Sequence, residues 1–149
     1  MVIGFTGTSK GMSPYQRQRV SDLLKELTPD LVRHGDCIGA DTEFHQIASS
    51  LNIKTCIHPP DNESKRAFNQ SDSILPVKPY LDRNKDIVDM SDLLIATPET
   101  SKEALRSGTW STVRYAKRAG KEVILCNPEN ELGTPSCQKD LRTTSPAGS

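Results

Sequence analysis

Aromatic side chains are scarce, at 5% of the chain. That weakens any reading of the surface as a platform on which single-stranded bases stack. Net charge is also lacking: 19 Lys and Arg balance 19 Asp and Glu, so no overall field draws the protein to nucleic acid. No apolar run approaches membrane-spanning length, and the N-terminus has no basic-then-apolar leader. CxxC is absent. Cys37, Cys56, Cys126 and Cys137 are widely spaced, and two of them fall in predicted strands. They read as reduced thiols, without structural disulfides, in a cytoplasmic protein. There is no internal repeat. The stretch from Gly4 to Gly11 is neither a Walker A loop nor GxGxxG.

What the 149 residues do contain is alternation. Val2 to Phe5 is a short apolar run ending at Gly7, the shape of a first buried strand. Ser13-Pro14 fits a helix N-cap followed by proline, and Val20, Leu23, Leu24 and Leu27 form a helical stripe. Asp30 to His34 reads as a second strand. Phe44, Ile47, Ala48 and Leu51 repeat the helical stripe. Ile53 to Ile57 makes a third strand. Residues 61–79 are polar, with Pro76 and Pro79, and read as a lid-like loop or a short helix near Ser64 to Asn69. Tyr80 to Met90 is predicted helical, Asp92 to Thr97 a strand, Thr109 to Ala119 a helix, and Glu122 to Cys126 a fifth strand. The expected fold is α/β: a Rossmann-like three-layer αβα domain over residues 1–128, with a mainly parallel sheet of about five strands. Residues 129–149 read as a flexible tail.

The turns after these strands converge at the carboxyl edge of such a sheet, where ligands bind. Ser107-Gly108-Thr109 at a helix start offers free N–H groups, a hydroxyl and the positive end of the dipole, which suits a phosphate. Arg83, one element earlier, reaches the same edge. Thr6, Gly7 and Thr8 form a polar close-approach turn or, more plainly, a tight turn that needs glycine. In His34-Gly35-Asp36-Cys37-Ile38-Gly39-Ala40-Asp41, Asp36 or Asp41 could hold a ribose hydroxyl or act as a general base. Cys37 could be a nucleophile with His34, or His34, Cys37, Asp41 and His45 could bind a metal. Against these stands a plain structural role, with Asp41 capping a helix and Cys37 inert. Trp110 and Tyr115 default to packing.

Several of these motifs are familiar. The chain resembles the SLOG superfamily, Rossmann-like proteins that include the Lonely Guy phosphoribohydrolases and the core of DNA-processing protein A. Gly35 to Asp41 is similar to the family's second-strand glycine turn, and Ser91 to Ala96 to its fourth strand. Arg83 stands eight residues before Ser91, where the phosphoribohydrolases carry an essential arginine. Gly108-Thr109 matches the Gly-Thr of their PGGxGTxxE loop. The loop between Pro98 and Gly108 is longer than theirs, and Thr112 occupies the position of their catalytic glutamate. The pattern HGDCxGAD followed by RSGTWxTxRYA is that of small members of the superfamily.

The resemblance implies a nucleotide-binding protein with no cofactor and no bound metal. Its ligand is a nucleotide or sugar-phosphate small molecule. The expected ligand-binding residues are Thr6, Gly7, Thr8, Gly35, Asp36, Gly39, Ala40, Asp41, His58, Arg83, Asn84, Thr97, Arg106, Ser107, Gly108, Thr109 and Thr112. The alternative is an N-glycosidase acting on nucleoside 5′-monophosphates. Its catalytic residues would be Arg83 with Asp41 or Asp36, and Glu43 is a further carboxylate in reach. A nucleic-acid processing role is weaker, because the charge is neutral. No membrane partner is expected, and a homodimer is compatible with the sequence.

Overall fold

A computed structural model describes residues 1–129 of the chain; the expected tail lies almost wholly outside the described residues. Strands and helices alternate in the order β1 (Val2–Gly7), α1 (Pro14–Leu27), β2 (Leu31–His34), α2 (Ala40–Ser50), β3 (Lys54–Ile57), β4 (Ser73–Ile74), α3 (Tyr80–Asp89), β5 (Leu93–Thr97), α4 (Gly108–Arg118) and β6 (Glu122–Leu125). All strand pairs are parallel, in the spatial order β4-β3-β2-β1-β5-β6. The sheet has six strands, where the sequence suggests about five. The addition is β4, whose two residues pair with Cys56 and Ile57. Between β3 and β4 the expected short helix is a single 3-10 turn at Glu63–Lys65.

Local sequence explains the elements. Ser13 caps α1, its hydroxyl accepting from Gln16 N while Gln16 Oε1 accepts from Ser13 N. This reciprocal pair satisfies two N–H groups that a helix start would leave open. Every residue of β5 is buried, as a central parallel strand requires. One apolar layer lies between the sheet and α1 and α2, where Phe5 and Phe44 stack at 4.1 Å. The second lies under α3 and α4 and contains Trp110.

The chain builds β1 to β4 across one half of the sheet, then returns to the other side of β1 for β5 and β6. That reversal opens a crevice at the carboxyl ends of β1 and β5. Two contacts fix its floor. Ala40 N donates to Thr8 O at 3.0 Å, and Gly39, with φ of 96°, lies so close to the Ser9 backbone that no side chain fits there. Gln16 is 1% exposed. Its Nε2 donates to both Pro98 O and Cys126 O at 2.8 Å, tying the exits of β5 and β6 to the start of α1. Among the described residues no helix is long and apolar enough to cross a membrane.

Candidate functional site

A cleft of about 850 Å³ occupies this crevice, within the range of small-molecule sites. Of the residues expected from the sequence, Thr6, Gly7, Thr8, Gly35, Asp41, Arg83, Asn84, Arg106, Ser107, Gly108 and Thr109 line it. The rest stand behind its wall. Ala40 and Gly39 hold the β1 turn. Thr97 is fully buried at the end of β5. The Thr112 hydroxyl donates back to Gly108 O at 2.9 Å. The His58 ring faces Arg33 Nη1 at 3.2 Å, and only its carbonyl reaches toward the site, accepting from Arg83. Burial, with the Arg33 cation beside it, lowers the His58 pKa to about 4.

Arg83 is 3% exposed, although a helix arginine ordinarily points to water. Its Nη1 donates to Gly35 O at 2.5 Å and His58 O at 3.0 Å, and its Nε to Asn84 Oδ1 at 2.8 Å. Among the described residues Nη2 meets only the Cys37 sulfur, at 3.6 Å. The guanidinium is thus fixed by neutral acceptors at the carboxyl edge and keeps donor capacity toward the cleft. Asp41 lies in the first turn of α2, where Gly39 is the N-cap, so it does not cap the helix itself. Its Oδ2 accepts from Cys37 N at 3.1 Å. Burial raises its pKa to about 6, against the opposing pull of Arg83 and of the backbone N–H groups.

The start of α4 is open toward the cleft. The Ser107 hydroxyl accepts from Trp110 N at 3.2 Å. The N–H groups of Gly108 and Thr109 find no acceptor among the described residues, as the first turn of a helix dictates. Arg106 stands next to them on the lining.

Asp36 is the expected residue the structure moves furthest from a ligand role. It is fully buried in a left-handed conformation with φ of 55°. Its carboxylate accepts from Arg66 Nε at 2.9 Å, Asn69 N at 3.0 Å and Asn69 Nδ2 at 2.9 Å. These bonds, with Ala67 N to Asp36 O and Ile38 N to Lys65 O, fasten the segment after β3 onto the β2 turn. Glu43 is also occupied, accepting from Met12 N at 2.6 Å and pairing with Arg17 at 3.5 Å.

The nucleophile and metal alternatives find no support. Burial and the Asp41 charge raise the Cys37 pKa, which favours an inert thiol. His34 Nδ1 accepts from Asp36 N at 3.0 Å, so Nε2 of its neutral ring is the nitrogen that donates to His45 Nδ1 at 2.9 Å. The two rings use their facing nitrogens on each other. Burial and the neighbouring His45 lower the His34 pKa to about 3. Among the described residues no group of three His, Cys, Asp or Glu could hold a metal.

Sequence reasoning missed Tyr80. It lines the cleft with its ring 5.3 Å from the Arg83 guanidinium. The available signal was spacing: Tyr80, Arg83 and Asn84 stand at i, i+3 and i+4 of one helix and share a face.

No protein-family model matches the chain, and no curated protein matches it in sequence. Solved structures do match. The molybdenum cofactor binding protein of Rippkaea orientalis superposes with a TM-score of 0.68 at 22% identity, over 88% of this chain and 78% of that one. The Moco carrier protein of Chlamydomonas reinhardtii gives 0.65 at 20%, over 87% and 78%. DNA processing protein A of Streptococcus pneumoniae gives 0.61 at 19%, over 83% of this chain and 49% of that one. These likenesses, with the all-parallel sheet and its switch point, show that the chain has a Rossmann-like α/β fold that these proteins share.

Proposed function

We propose that the cleft binds a nucleotide or nucleotide-derived phosphate ligand and holds it without turnover. One observation carries this reading. The acceptor-free N–H groups of Gly108 and Thr109 open into the same cleft as the buried Arg83 and Asp41. The helix start suits the phosphate, and the carboxylate suits ribose hydroxyls. Two fold neighbours are described as a binding protein and a carrier for a cofactor, which supports holding over turnover. The match to DNA processing protein A keeps a nucleic-acid role as the weaker reading, since the chain has zero net charge.

A second reading is favoured by Asp41. A carboxyl pushed up to about 6 inside the cleft is poised to move a proton near neutral pH. In an N-glycosidase acting on nucleoside 5′-monophosphates it would take the place that Thr112 cannot fill, since a threonine carries no charge to stabilise a ribosyl cation.

The test is incubation with nucleoside 5′-monophosphates and ADP-ribose-like compounds, reading thermal shift and released base together. A binding protein shifts its melting temperature with at least one compound and releases no base. Arg83→Ala should weaken that binding roughly ten- to hundred-fold, since a charge-assisted hydrogen bond contributes about 1.5–3 kcal/mol. Multiple-turnover base release by the wild type, lost in Asp41→Asn with binding spared, would establish the glycosidase instead. A panel with neither a shift nor released base would refute both.

A further inference from the structure

Gly108 begins α4 with helical backbone, and its φ is not positive. Conformation therefore gives no reason for glycine, a poor helix former, at this position. Tyr80 gives one. The first atom of any side chain at Gly108 would overlap the Tyr80 phenol oxygen. The phenol thus lies against the opening turn of α4, beside the acceptor-free N–H groups of Gly108 and Thr109. Thr109 adds an independent observation. Its side chain is 5% exposed and lines the cleft, yet its hydroxyl has no partner among the described residues. Thr112, one turn on, turns its hydroxyl back to the helix instead.

Tyr80 is held from behind. Arg83 and Asn84 share its helix face, and Arg83 Nε donates to Asn84 Oδ1. The Arg83 guanidinium below the ring adds a cation–π contact.

We propose that Tyr80 is a specificity-determining residue of this site, its O–H completing, with the Gly108 and Thr109 N–H groups and the Thr109 hydroxyl, a donor set shaped for a terminal phosphate monoester. The proposal rests on the reading of this cleft as a phosphate site. A monoester presents three non-bridging oxygens to these donors. A diester presents two, and its second substituent must pass the Tyr80 ring.

The experiment is titration of the full chain with methyl phosphate and with dimethyl phosphate, followed by phosphorus NMR. The variants are Tyr80→Phe and Thr109→Val. Tyr80 is 44% exposed, and phenylalanine keeps the ring over Arg83, so the variant should fold; a thermal melt checks this. Wild type should bind the monoester and discriminate against the diester. Tyr80→Phe should weaken the monoester about tenfold and narrow the discrimination. Weakening by Thr109→Val with no change in Tyr80→Phe would overturn the role of Tyr80 and leave the phosphate site standing. No monoester binding by wild type would overturn both.

Discussion

Three buried ionisable side chains pull the pH response of the domain in opposite directions. His34 and His58 have folded pKa values lowered to about 3 and about 4, mainly by burial. An unfolded histidine takes its proton near pH 6.5. Both residues therefore contribute stability that is present above that value and lost as pH falls. Asp41 works the other way. Its pKa is raised to about 6, so its contribution is present below the unfolded value and lost as pH rises through about 6. Each group changes stability by up to about 1.4 kcal/mol per pH unit inside its window. Between about pH 4 and about pH 6 two histidines oppose one aspartate. From these groups, stability should rise with pH by up to about 1.4 kcal/mol per unit. Asp41→Asn removes the opposing contribution and should roughly double that slope. Urea unfolding across the range reads it directly, and an unchanged slope in the variant would show that Asp41 is ionised throughout. The residues differ in how legible they were. Arg83 was located by its spacing from Ser91. Tyr80 was not, because an aromatic at a helix start carries no mark of what it packs on, and the surface it covers is Gly108, distant in sequence.

At the scale of elements, the segment between β3 and β4 is a strap fastened to the β2 turn by backbone bonds and by the Asp36 carboxylate. Asp36 receives Arg66 and both donors of Asn69. Asp36→Ala leaves a half-buried guanidinium and an amide without their acceptor. Loss of one partner from a buried ion pair costs about 3–5 kcal/mol, and Arg66 keeps some access to water, so about 3 kcal/mol is expected here. Hydrogen exchange should quicken at Ala67 and Asn69 more than in β1 or β5. Uniform exchange across the domain would mean that the strap is not a separate unit. The sequence suggested a lid or a helix here because residues 61–79 have polar composition and no period. It could not show the strap, because Asp36 lies some 30 residues away. β4 was missed for a related reason. Two residues have no periodicity, and their strand character comes wholly from pairing with Cys56 and Ile57. The long elements were legible because each carries a full apolar stripe or an unbroken apolar run, and their ends shift by only a residue or two.

On the scale of the whole molecule, the alternation of strands and helices announced a parallel sheet, and with it a ligand edge. Strand order was not legible, since it depends on which neighbours pair after the chain has crossed the sheet. Gln16 is the clearest case of a connection that no motif announces. One amide on α1 serves the exits of β5 and β6. Gln16→Leu should cost about 2–4 kcal/mol, because two buried carbonyls lose their donor. Denaturant melts measure the loss, and a change below about 1 kcal/mol would mean that water replaces the amide.

The same amide bears on how ligands come and go. With the exits of β5 and β6 bound to α1 by this amide, and the β1 turn fastened to the start of α2, the floor of the crevice is held closed. Passage is left to the walls, the strap after β3 and the stretch between Pro98 and Ser107. Ligands of one size should then arrive at similar rates, whatever their base, and differ in how long they stay. Stopped-flow traces for a series of such ligands should show dwell times that spread widely over a nearly common association rate.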